Sequence, residues 1–156
     1  MRRNLLALAI ISAPALAQTS DLSYEAYINS NKRIKCLYGY AAEKTGDHQA
    51  AIAIFEDCIA RWSDIYSMIW LAQMYESGVG GKTNPAKAAE LMRLGANLPD
   101  GTAYVDLARY HWGVALTEGR GVAADPITGR QWLERAAAAG QAEARAYLDG
   151  ADKNRR

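Results

Sequence analysis

The sequence predicts an all-α protein: a short right-handed α-solenoid of about three helix-turn-helix repeats, closed by a terminal half-repeat. Three observations carry this. Alanine occurs 30 times in 156 residues, against four prolines and one phenylalanine, a composition that favours helix over sandwich or barrel. Apolar residues return at helical spacing through most of the chain. A block of about 33 residues also recurs after a shift of 41, the mark of stacked supersecondary units. The length suits one domain, with about 70% of the unfolded surface buried on folding. Eighteen Lys and Arg against 17 Asp and Glu leave no basic excess of the kind nucleic-acid partners require.

Residues 1–17 read as a signal peptide rather than as part of the fold. Arg2 and Arg3 precede the apolar run Leu5 to Ile11, and Ala15-Leu16-Ala17 supplies small residues for cleavage after Ala17. The apolar run falls short of the roughly 20 residues a membrane span needs, and Pro14 interrupts it. The expectation is export to the periplasm or beyond, with no membrane span after cleavage. In an oxidising compartment the pair Cys36 and Cys58 reads as a disulfide, with two buried free thiols as the alternative. Closing that loop stabilises by roughly 3 kcal/mol on the loop-entropy model.

In chain order, a loose terminus at 18–22 leads into helix over 23–44, and Gly46-Asp47 turns the chain into helix 47–61. Helices then follow at 65–77, 85–97, 101–118, 126–139 and 141–149, inside a domain spanning 18–150. A charged tail, 151–156, ends the chain. The Gly78/Gly80 and Gly119/Gly121 pairs close first helices where positive φ is needed. Asn84-Pro85 and Asp125-Pro126 read as a cap with proline at the first helical position. Such a hairpin cannot bury its apolar face alone and must stack on its neighbours.

The shift of 41 carries Leu71, Ala72, Tyr75, Gly78 and Gly80 onto Trp112, Gly113, Leu116, Gly119 and Gly121. Ala108, Trp112, Gly113, Leu116, Gly119, Gly121, Val122 and Asp125, continued by Trp132, Ala136, Ala137 and Gly140, resemble the Sel1-like repeat. The resemblance covers 104–140 and 67–99. The preceding stretch, with Tyr38, Gly39, Ala42, Gly46, Ala51, Phe55 and Cys58, resembles the related tetratricopeptide pattern. The resemblance implies that Cys36 and Cys58 face each other within one hairpin, a bond often carried by exported Sel1-like proteins.

No catalytic constellation stands out. His48 and His111 are the only histidines, no serine lies in a nucleophile motif, and the Gly-x-Gly pairs lack a preceding strand. His48 is expected to pack within its hairpin, and Trp112 and Trp132 in the core. Trp70 and Tyr66, four residues apart, form either a contact patch or inter-hairpin packing. No cofactor and no metal are expected. By analogy with the family, first helices line a groove holding Arg33, Tyr40, Glu43 and Lys44, then Tyr66, Ile69, Gln73 and Glu76, then Tyr110, Val114 and Thr117. Mixed aromatic and charged residues suit a protein or peptide partner, with no nucleic acid. The resemblance thus implies a non-enzymatic interaction module or adaptor. The alternatives are a cell-wall enzyme or ligand-binding protein for β-lactams or muropeptides, a structural subunit of an envelope or secretion complex, and self-association as a homodimer.

Overall fold

A computed structural model describes residues 23–153; the expected signal peptide and the last three residues lie outside them. The described residues form eight helices and no strand: α1 (Glu25–Ile28), α2 (Lys35–Lys44), α3 (His48–Trp62), α4 (Ile65–Ser77), α5 (Pro85–Ala96), α6 (Val105–Glu118), α7 (Pro126–Ala138) and α8 (Ala142–Lys153). Each helix from α2 onward packs on its successor, so α2/α3, α4/α5 and α6/α7 are hairpins stacked in a row, with α8 as the closing half-unit.

The repeat is visible in the hydrogen bonds. Asn84 N–H donates to the Tyr75 carbonyl at 2.7 Å, and Asp125 N–H donates to the Leu116 carbonyl at 2.8 Å. Both partners of the second bond stand 41 residues after those of the first. The side chain of Asn84 accepts from Lys87 N–H at 3.1 Å, and that of Asp125 from Thr128 N–H at 3.0 Å, so each second helix is capped in the same way before its proline. The turns also join one unit to the next. Gly121 has φ +69°, and a Cβ there would lie 2.0 Å from the Pro85 carbonyl oxygen. The turn of the third hairpin thus rests on the first residue of α5 in the second.

Apolar clusters run along the stack, beginning with Cys36, Ile54 and Cys58 inside the first hairpin. Ala42, Ala51 and Phe55 meet Leu71 and Met74 between the first two hairpins. Met68, Ala88, Met92, Ala108 and Trp112 fill the middle. Val114, Leu133, Ala136 and Ala144 close the far end beneath α8. Small residues set the spacing: a Cβ on Gly39 would come within 2.5 Å of the Phe55 ring, so glycine lets that ring lie directly on α2. Trp112 is in the core as expected, and Trp132 packs against it, half-buried.

Three boundaries differ from the sequence reading. The helix expected over 23–44 is broken between α1 and α2. Ser30 Oγ accepts from Lys32 N–H at 3.2 Å, and Asn31 Oδ1 accepts from Arg61 of α3 at 2.7 Å, so this polar run bonds to itself and across to α3 instead of continuing the helix. The helix expected from 101 begins at Val105, because Gly101 (φ +80°) and Tyr104 (φ +66°) are left-handed. At the other end, α8 extends to Lys153, into the segment read as a tail.

The break between α1 and α2 has an electrostatic counterpart. Lys35 is fully buried; its ammonium donates to the Ile28 carbonyl at 2.6 Å and to the Asp57 carboxylate, and it sits 5.6 Å from the Trp62 ring centroid. Asp57 also accepts from Arg61 at 2.9 Å. Next to this group, Cys36 and Cys58 are joined by a disulfide with Cα atoms 6.0 Å apart, the pairing that the family resemblance implied. One covalent bond and one part-buried ion pair therefore join the start of α2 to the last turns of α3.

Gly121→Ala combines a left-handed alanine with a backbone clash, and is expected to destabilise by about 2–4 kcal/mol, measured by urea unfolding against Gly150→Ala, a site open to solvent. For the buried pair the two partners are not equivalent. Asp57→Asn strands the Lys35 ammonium and should cost about 3 kcal/mol, whereas Lys35→Met leaves Asp57 with Arg61 and should cost about 1 kcal/mol. Hydrogen bonds from Lys35 and then Arg61 hold the Asp57 carboxyl below its ordinary 3.8. Its contribution is therefore present above that value and lost as pH falls through the lower, folded-state value. Melting temperature should drop below about pH 4, and drop less steeply in Asp57→Asn.

Candidate functional site

The first helices α2, α4 and α6 all begin at one cleft of about 610 Å³. Arg33, Ile34 and Leu37 line it from the start of α2, Ser63 to Tyr66 from the start of α4, and Thr102 to Tyr104 from the approach to α6. Cys36 and Trp62 contribute to its wall, so the disulfide that ties α2 to α3 also fixes one side of the cleft. Ile34 (54% exposed), Leu37 (53%) and Tyr104 (54%) are among the most exposed large apolar side chains of the described residues. Their gathering at one cleft is what marks it, since single exposed apolar residues are ordinary.

Backbone strain points to the same place. Among the described residues, the non-glycine positions with positive φ are Ser63 (+49°) and Tyr104 (+66°), and both line the cleft. A left-handed tyrosine is unfavourable by about 1–2 kcal/mol. Tyr104 is held there by the connection behind it, where the buried Arg109 donates to the carbonyls of Ala96 at 3.2 Å and Leu98 at 3.3 Å and pairs with Asp106 at 2.7 Å.

An aromatic run leads out of the cleft. Tyr104 lies 5.9 Å from Tyr66, Tyr66 lies 6.2 Å from Trp70, and Trp70 lies 4.6 Å from Tyr40 between ring centroids. Burial raises the Tyr66 phenol above its ordinary 10.0. Lys44 sits over Tyr40 at 5.3 Å and Trp70 at 5.0 Å, and is held by Glu43 at 2.9 Å. Trp70 and Tyr66 thus belong to a patch and also pack one hairpin on the next.

The other residues expected in the groove divide into two groups. Ile69, Gln73 and Glu76 line a smaller cavity of about 130 Å³ with Ala72, Met92 and His111. Burial, then the nearby Arg120, holds the His111 imidazole below its ordinary 6.5, with Glu143 opposing, so it is neutral at pH 7. Val114 is a correction: it is 4% exposed and packed against Leu133, Ala136 and Ala144, because α8 covers that face of α6. No partner reaches it. Tyr110 is half-buried on the same cluster, and the Thr117 hydroxyl donates to the Gly113 carbonyl at 2.8 Å. His48 is half-buried, its Cβ close beneath Gly80, packed between units.

Ile34, Leu37 and Tyr104 were absent from the sequence-derived groove, which followed the repeat frame. Ile34 and Tyr104 stand immediately before their helices, where helical periodicity assigns no face. Arg109 stands where the preceding unit has Met68, so the repeat carried no signal for it. Among the described residues, no three His, Cys, Asp or Glu side chains gather in a way that could hold a metal ion. No described helix is long and apolar enough to cross a membrane.

Stacked helical hairpins with a cleft across the starts of their first helices define an α-solenoid repeat protein. Residues 65–100 and 106–141 match the Sel1 repeat model, the same spans that form α4/α5 and α6/α7 with their turns. The chain thus carries two Sel1 repeats. The fold is also similar to the crystal structure of a Sel1 repeat protein from Oxalobacter formigenes, with a TM-score of 0.64, 22% identity, and coverage of 81% of this chain and 95% of that one. No curated protein matches the chain. Sel1 repeats are in general protein-interaction modules.

The backbone strain at Tyr104 is separable from its ring contact. Tyr104→Gly and Tyr104→Ala both lose the ring, but only alanine keeps the left-handed penalty. Tyr104→Gly is expected to be the more stable variant by about 1 kcal/mol, read as the difference in denaturation midpoint at equal slope.

Proposed function

We propose that this chain is an exported adaptor, periplasmic or secreted, that holds a protein partner on the face made by the starts of α2, α4 and α6, without cofactor or turnover. The observation that carries the reading is the cleft itself. It exposes Ile34, Leu37 and Tyr104 together and gathers the strained Ser63 and Tyr104 backbone. A fold that merely needed to be stable would relieve both features. Exposed apolar residues around a concave site with a few polar groups suit recognition of another polypeptide. Export is supported by the charged, apolar and small-residue order of residues 1–17 and by the Cys36–Cys58 disulfide, which suits an oxidising compartment.

The test is cross-linking of the tagged protein in the envelope of its own host, followed by mass spectrometry, in parallel with Leu37→Glu. The expected result is a stoichiometric partner recovered by the wild type and reduced at least tenfold in the variant, with both proteins exported at equal level. Failure to recover any partner, or recovery from the cytoplasm alone, would remove this reading.

A further inference from the structure

We propose that the cleft takes an extended acidic-apolar segment of its protein partner, about six residues long, with a carboxylate on Arg33 and apolar side chains against Ile34, Leu37 and Tyr104. This rests on the reading of the chain as an interaction module and specifies the chemistry of what is held.

The length follows from the stacking. The cleft crosses the starts of three successive first helices. Packed helices lie about 8–10 Å apart, which puts the outer two about 16–20 Å apart. An extended chain rises about 3.3 Å per residue, so about six residues cross that distance, and every second side chain points into the cleft. The exposed apolar groups come from the outer two of these helix starts, Ile34 and Leu37 at the start of α2 and Tyr104 before α6. Alternate apolar residues of one extended segment can meet both.

The charge follows from the bonding of Arg33 and Asp64. Asp64 is the carboxylate of the cleft, but it is spent: its Oδ1 accepts from Arg33 at 3.0 Å, and its Oδ2 accepts from Ser67 N–H at 3.0 Å and from the Ser67 hydroxyl at 2.7 Å. Its side chain is only 10% exposed, whereas that of Arg33 is 66% exposed. Arg33 engages Asp64 through Nη2, and the rest of its planar fork faces outward in a geometry suited to a carboxylate. A basic segment would meet like charge at the mouth; an acidic one is complementary.

The experiment selects random 12-residue peptides displayed on phage against the exported chain with its disulfide intact, then measures fluorescein-labelled copies of the selected peptides by polarisation. The expected motif has two apolar residues two positions apart with an adjacent Asp or Glu. Binding should weaken at least tenfold in Leu37→Glu and in Arg33→Glu. Replacing the peptide's acid by Arg should restore binding to Arg33→Glu. Both positions are exposed, and a circular-dichroism melt checks that the variants stay folded. A basic or proline-only motif, or affinities unchanged by both substitutions, overturns the inference. Peptides released by Gln73→Arg and indifferent to Leu37→Glu overturn it while leaving the interaction module standing. Enrichment of no peptide at all, with no partner recovered by cross-linking, removes both.

Discussion

Each unit can stack on the last only because its turn carries no side chain where it meets the preceding second helix. Gly121 lies so close to the Pro85 carbonyl that any Cβ would overlap it, and Gly80 lies close over His48 and Ile52. From that approach follow the register of the hairpins, the continuity of the apolar clusters and the alignment of the first-helix starts. Larger residues at these turns would force the units apart and open the core to water. The repeated glycine is thus a packing requirement as well as a turn signal.

The two ends of the stack solve different problems. Among the described residues no repeat unit precedes the first hairpin, which carries the disulfide, the short α1 packed against α3, and the part-buried Lys35–Asp57 pair. A buried ammonium is costly unless well paired, and here its bond to the Ile28 carbonyl fixes where α1 lies. The far end is closed more simply. α8 lays Ala144, Tyr147 and Leu148 on Val114 and Leu133 and leaves Glu143, Arg145 and Asp149 exposed.

The cleft is a product of this arrangement and of one further device. Arg109 spends a buried charge on the carbonyls of Ala96 and Leu98, which holds the 97–104 connection and with it the left-handed Tyr104. Strain at Tyr104 is tolerated because the surrounding bonds over-determine it. The resulting surface is apolar and exposed, with Arg33 as its outward charge.

The sequence by itself determined the repeat. Alanine content, the shift of 41, the Gly-x-Gly turns and the Asn-Pro and Asp-Pro caps specify α4 to α7 to within a few residues, because local propensity and capping act over one or two turns of chain. It also placed Cys36 and Cys58 in one hairpin, through the resemblance of that stretch to a known helical pattern. The tertiary structure alone decided the break between α1 and α2, where Lys35 turns inward to a carboxylate 22 residues away. It alone decided that Val114 lies beneath α8, and that Ile34, Leu37 and Tyr104 converge. A repeat frame records what recurs from unit to unit. A cleft built from the residues just before and at the starts of helices, and strained by one arginine absent from the other units, depends on contacts between units that no single repeat contains.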